Sequence, residues 1–348
     1  MKKVLSALLT GLLLCGVFML GASAAEDITA AFTDPNFRAA VYEYIDKTAP
    51  EPILDTDVAG ITELVVYDDN VASLAGLEYF TRLTNLDCMG NRLVSLPELP
   101  VGLTDLCCVS NKLTSLPELP SGLVRLYCGG NQLTSLPTLP ASLTWLDCCK
   151  NKLTSLPSLP VGVDRLDCDY NQLTSLPALP TGLPRLDCSD NKLTSLPALP
   201  ASLTWLECSN NKLTSLPTLP VGLVELDCGS NQLTSLPILL PSALRNLTCL
   251  NNQLTALPAL PSALETLYCY NNQLTSLNVT GCPLRALECS YNNLASKSDV
   301  IGFTGTWNGA NFCFDPQNRG VFGTNVRYQG WWAYLLFFLC FGFIWMWF

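Results

Sequence analysis

LTNLDCMGNRLVSLPELPVG, residues 83–102, is the unit from which most of the chain is built. The pattern returns at Leu103, Leu123, Leu143, Val163, Leu183, Leu203 and Leu223 with a period of 20, then at Leu244 after one inserted residue, and at Leu264 and Leu284. That makes eleven copies of LxxLxCxxNxL. One such unit cannot bury its apolar side alone, so neighbours must stack into a solenoid with a continuous core.

Within a copy, Asn85-Leu86-Asp87-Cys88-Met89 alternates outward and inward as a short strand does, with Leu86 and Cys88 facing the core. Asn91 follows where the chain leaves the strand. Its amide both donates and accepts, which suits backbone groups that water cannot reach. Asn111, Asn131, Asn151, Asn171, Asn191, Asn211, Asn231, Asn252, Asn272 and Asn292 repeat the position. The return, Leu93 to Pro100, carries two prolines, which fix φ and remove N–H donors; an extended or polyproline-like convex side is expected.

These residues, LxxLxCxxNxLTSLPxLP, resemble a leucine-rich repeat of the short bacterial type over residues 61–295. The likeness extends to the LPxLP repeats of secreted bacterial effectors and to surface leucine-rich proteins of gut Firmicutes. LAGLEYFTRL, in a degenerate first repeat (61–82) with Val66 at the Cys position and Asp69 at the Asn position, resembles the entry to internalin-like repeats. The resemblance implies a curved parallel sheet offering its concave face to a partner.

In chain order, Lys2 and Lys3, an apolar run from Val4 to Leu20, and Ala22-Ser23-Ala24 read as a secretory signal peptide, residues 1–24, with an uncleaved anchor as the alternative. Export by the general secretory route and display at the cell surface follow. Residues 25–60 form an N-terminal cap: Asp34 and Pro35 suit the start of a short helix presenting Phe37, Val41 and Ile45 on one face. Residues 296–330 follow the array as a C-terminal cap or juxtamembrane segment. Residues 331–348, WWAYLLFFLCFGFIWMWF, are uncharged. As a helix they would be about 27 Å long, near a bilayer core, with Trp and Tyr at both ends, so a hydrophobic C-terminal helix anchoring the chain in a membrane is expected. An aromatic strand packed on the last repeat is the alternative.

The chain has 348 residues, 49% apolar, with a formal net charge of −10. That balance, with no basic run, argues against nucleic acid. Of seventeen cysteines, eleven occupy the inward strand position, Cys88 through Cys289, and form a ladder of small hydrophobes. Their spacing fits no zinc pattern, and the chain has no His. Cys107 and Cys149 point to the concave face as candidates for reaction or pairing, and Cys282 and Cys313 lie near the C-terminal cap as candidates for a bridge.

Function is sought where copies differ. The first outward column includes Arg125, Trp145, Arg165, Arg185 and Trp205; the second includes Tyr127, Asp147, Asp167, Asp187, Glu207 and Asp227. Exposed Trp and Arg are what binding hot spots are made of, so these eleven residues are the candidate ligand-binding set, for a protein or a glycan. The competing reading is that Arg165 and Arg185 merely neutralise crowded carboxylates while the tryptophans lie on them. Tyr268 and Tyr270 are a weaker group, and the acidic row matches no calcium loop. Without His there is no Ser/His or Cys/His pair, and no phosphate- or dinucleotide-binding loop occurs. The chain reads as a non-enzymatic module without a cofactor, either a recognition surface or a structural spacer. The effector resemblance brings a ubiquitin-ligase reading, but the helical catalytic domain of that family has no counterpart in the roughly fifty residues after the array.

Overall fold

The computed structural model describes residues 25–318. The expected signal peptide (1–24), part of the C-terminal segment (319–330) and the expected membrane helix (331–348) lie outside the described residues. Among the described residues, no helix is long and apolar enough to cross a membrane.

Fifteen short strands follow one another in the described chain. They are β1 (Glu63–Val65), β2 (Asn85–Asp87), β3 (Asp105–Cys107), β4 (Arg125–Tyr127), β5 (Trp145–Asp147), β6 (Arg165–Asp167), β7 (Arg185–Asp187), β8 (Trp205–Glu207), β9 (Glu225–Asp227), β10 (Asn246–Thr248), β11 (Thr266–Tyr268), β12 (Leu277–Asn278), β13 (Ala286–Glu288), β14 (Val300–Ile301) and β15 (Phe312–Cys313). Thirteen of them, all except β12 and β14, form one parallel sheet in sequence order. Parallel neighbours need a crossover, and here the crossover is the return of each turn. The LPxLP segments are neither helix nor strand, as two prolines per return require. Where Leu277-Asn278-Val279 replaces that segment, the N–H groups are restored. β12 then pairs with β14 and the convex side gains a two-stranded sheet that the sequence reading did not anticipate.

The core is the repeat written in side chains. Leu103, Leu106, Cys108 and Leu113 are each fully buried, and their equivalents in the turns that follow are buried too. At the end of each strand the chain passes through a left-handed residue, among them Ser110, Lys150, Tyr170, Asp190 and Asn210, with φ between 50° and 55°. Such a conformation is unfavourable for a residue with a Cβ. It is held because the N–H there bonds to the next turn, as Ser110 N does to Gly129 O at 2.9 Å.

The buried asparagines tie turn to turn. Asn171 accepts from Leu153 N at 3.0 Å and donates to the carbonyls of Cys148 and Cys168 at 3.0 and 3.2 Å. The same set recurs at Asn111 through Asn292, so each amide serves its own turn and the one before it. Asp69 takes no part: it is exposed, a carboxylate has no N–H to donate, and the first turn has no predecessor to tie.

The N-terminal cap holds α1 (Pro35–Tyr44) and a second short helix, α2 (Asp55–Val58). Phe37 and Val41 are buried as expected, together with Tyr42, whereas Ile45 is the half-buried residue that ends α1. Phe37 packs with Phe32 and Phe80 at ring centroids of 5.6 and 6.5 Å, closing the open end of the core. Asp34 joins cap to array, since its carboxylate accepts from Asn36 N and Phe37 N at 2.9 and 3.0 Å and from Ala72 N and Ser73 N at 2.8 and 3.2 Å. Replacing Asp34 with Ala strands these donors and is expected to cost about 2–3 kcal/mol in urea unfolding. A loss under about 0.5 kcal/mol would remove the joint from the account.

Candidate functional site

The sheet register sets the two outward columns side by side in space. Trp145 pairs with Arg165, Arg165 with Arg185, and Arg185 with Trp205 across four adjacent strands. Strands lie about 4.8 Å apart, so the two indoles are about 14 Å apart along the stack. The gap between them is filled by the arginines. The Arg165 guanidinium lies 4.3 Å from the Trp145 ring centre and that of Arg185 lies 3.5 Å from the Trp205 ring. Both reach toward one carboxylate: Arg165 Nε bonds Asp167 at 3.0 Å, and Arg185 Nε stands 4.0 Å from its other oxygen. Tyr127 meets Trp145 edge-on with ring centres 5.2 Å apart. Arg125 stands outside the stack in an exposed ion pair with Asp105.

Stacking and pairing therefore use part of these side chains for one another, as the compensation reading expected. They do not use all of it. The buried Nε1 of Trp145, Oδ1 of Asp167 and Nε of Arg185 have no hydrogen-bond partner. Nor do the terminal nitrogens of Arg165 and Arg185 bond any group among the described residues, and these two side chains keep 37% and 40% of their surface exposed.

The acidic column is built differently from its appearance in sequence. Asp147, Asp187 and Asp227 each accept from the backbone N–H two residues on, at 3.0, 3.1 and 2.9 Å, which fastens the turn after the strand. Glu207, one methylene longer, makes no such bond. Burial, and after it the charge of the neighbouring Asp187, push its carboxyl well above the usual range. Asp227 is pushed up to about 6, chiefly by burial. Asp169, in a third outward column just past the ladder cysteine, is pushed up to about 7 by burial and then by Asp187, Asp147 and Asp167. The alternation makes Asp169 outward, in register with Met89 and Cys149, but only the first two outward columns were compared in the sequence.

All eleven ladder cysteines are buried and free, and burial pushes their thiols above the ordinary value. Cys107 and Cys149 are half-buried rather than open, and burial pushes Cys107 up to about 12 and Cys149 further, the reverse of what a reactive thiolate needs. Cys282 and Cys313 are not bridged: Cys282 contacts the Pro261 carbonyl, while Cys313 pairs with Glu288 in β15 and continues the second outward column. Among the described residues no group of His, Cys, Asp or Glu is arranged to hold a metal ion.

No family model matches the chain, and no relative is found among curated proteins. Solved structures are similar. YopM, a leucine-rich effector protein from Yersinia pestis, is 38% identical over 63% of this chain and 63% of that one, with a TM-score of 0.59. This chain thus spans less than two thirds of that protein's length. The functional domain of InlJ from Listeria monocytogenes, which includes a cysteine ladder, is 27% identical over 77% of this chain and 76% of that one, with a TM-score of 0.57. The Toll–Spätzle complex of Drosophila, at 22% identity over 69% of this chain and 39% of that one and a TM-score of 0.56, shares the fold alone. The architecture is that of a leucine-rich repeat solenoid, and the likeness in sequence is to bacterial members of that class.

Proposed function

We propose that this leucine-rich repeat solenoid is a non-enzymatic recognition module that binds a protein partner through the concave centre of its sheet. The observation that carries the reading is the stack Trp145–Arg165–Arg185–Trp205. Nothing in the framework requires it. The turns are held by Leu, Cys and Asn, and other repeats fill the same column with Asn85, Glu225, Thr266 or Ala286. Trp and Arg are the residues whose truncation costs most at interfaces, and here they are fixed in place beforehand, which lowers the ordering cost of binding. The partner meets guanidinium forks with unfilled donors, indole edges and a carboxylate row. A glycan with polar and flat faces remains the second ligand class for the same surface.

The N-terminal pattern of residues 1–24 supports export by the general secretory route, and the aromatic segment 331–348 supports membrane association at the cell surface. A spacer role has one observation in its favour, namely the mutual pairing of Arg165, Arg185 and Asp167. The test is the doubly substituted chain, Trp145→Ala with Trp205→Ala, against the parent on arrays of cell-surface proteins and glycans. With the cooperative unfolding transition kept, binding is expected to weaken at least about tenfold. A folded parent chain that binds nothing above background would leave the spacer reading standing.

A further inference from the structure

All five lysines of the repeat array, Lys112, Lys150, Lys152, Lys192 and Lys212, stand on one flank, just past the strand ends. Four of them follow the buried asparagine directly, as does Arg92, and this position lines up from turn to turn. The proof of alignment is in the contacts: Lys152 Nζ bonds Gln132 Oε1 at 3.0 Å and Lys192 Nζ bonds Gln172 Oε1 at 2.9 Å, each one turn away. From Arg92 to Lys212 the row crosses six turns, about 29 Å, with cations about 5 or 10 Å apart. Lys150 stands beside it in the left-handed row, over the Tyr170 ring at 5.7 Å.

Two features set this row apart. Every cation in it is exposed, and none has a carboxylate within ion-pair distance among the described residues, although the chain carries a net charge of −10. By contrast, five arginines elsewhere on the array, Arg125, Arg165, Arg185, Arg245 and Arg285, face acids. The positions between the lysines are Gln, never Asp or Glu, and the next exposed row is Thr114, Thr134, Thr154, Thr174, Thr194 and Thr214. Asp190 is the one acid in the left-handed row on this stretch. A sequence with no basic run still holds this row, because cations 20 or 40 residues apart become neighbours when the turns stack.

We infer that this flank binds a flexible linear polyanion carrying sulfate or phosphate groups, independently of the concave face. A single file of point charges fits one anionic strand laid along the solenoid axis. Only Tyr170 and Val94 add exposed apolar surface beside it, too little to enter a membrane, and lysines lack the planar fork that reads base edges. Binding should be driven by release of counterions and so fall steeply with salt.

The experiment uses the full chain, with heparin as the sulfated probe and inorganic polyphosphate as the phosphate probe, titrated in rising salt. The test variant replaces Lys112, Lys152, Lys192 and Lys212 by Gln, the residue that other turns already carry there, so the framework is kept. A control replaces Arg245, Arg285 and Lys297 by Gln. Expected for the parent is binding at about 50 mM salt with a slope of log K on log salt of about −3 or steeper. The test variant should lose about three from that slope and at least about tenfold in affinity, while the control loses little. Preference for one polymer names the anion, sulfate or phosphate. No binding to either polymer, retained binding in the test variant, equal loss in the control, or tighter binding to phosphatidylglycerol vesicles or duplex DNA would each overturn the inference.

Discussion

Asn171→Ala is expected to destabilise the array by roughly 3–5 kcal/mol, more than any single change on the concave face. The side chain is 8% exposed and makes four hydrogen bonds, to Leu153 N, Cys148 O, Cys168 O and Asp169 O. Truncation removes them from both sides of one turn interface. Each buried polar group left without a partner costs about 1–3 kcal/mol. Asn171→Asp should be no milder, because a carboxylate still accepts from Leu153 N but turns a negative oxygen toward carbonyls that need a donor. Guanidinium unfolding followed by circular dichroism measures the loss. Hydrogen exchange should place the weakened amides in the turns either side of residue 171, since repeats couple to their nearest neighbours. A loss under about 1 kcal/mol would mean that the buried amides are accessories to leucine packing rather than the ties between turns.

The second large effect is on pH. Glu207, Asp169 and Asp227 all have folded-state affinities for a proton raised above those of an unfolded carboxylate, with burial as the first cause in each case. The folded chain therefore binds more protons than the unfolded chain once pH exceeds the ordinary carboxylate range. The stability these groups contribute is present in full below their unfolded pKa and is lost as pH rises through about 6 for Asp227, about 7 for Asp169 and higher for Glu207. The array should be most stable in mildly acidic solution. A melting temperature at least about 5 °C higher at pH 5 than at pH 9 is expected. Glu207→Gln, which keeps the shape and removes the charge, should flatten much of that dependence. An unchanged pH profile in that variant would show that the crowded carboxylates relax into solvent as they ionise.

How much of this was legible beforehand depends on which distance carried the information. The strands, their order and the inward Leu and Cys residues follow from a period and an alternation, both local in sequence, and the structure matches them. The asparagines could be read as satisfying backbone groups, but not that each reaches back one turn, because that partner lies 18 residues away. The outward columns were legible as neighbours. What each side chain does there was not: in one column Asp147 fastens the turn after its strand, Asp167 takes Arg165, and Glu207 crowds Asp187. The lysine flank was hidden for the opposite reason, being conspicuous only when every twentieth residue is viewed together.

The one inserted residue in the array, in ILLPSA before Leu244, falls on the return, where Ile238 and Leu239 are 87% and 83% exposed, and the strand register on either side is unbroken. Gain or loss of a complete unit leaves the same backbone acceptors waiting for the next turn. The reach of the molecule is therefore a matter of copy number. Near-identical units invite unequal recombination, so a lineage can lengthen or shorten the array in single steps of about 4.8 Å while the chemistry of its face is altered separately, one outward residue at a time.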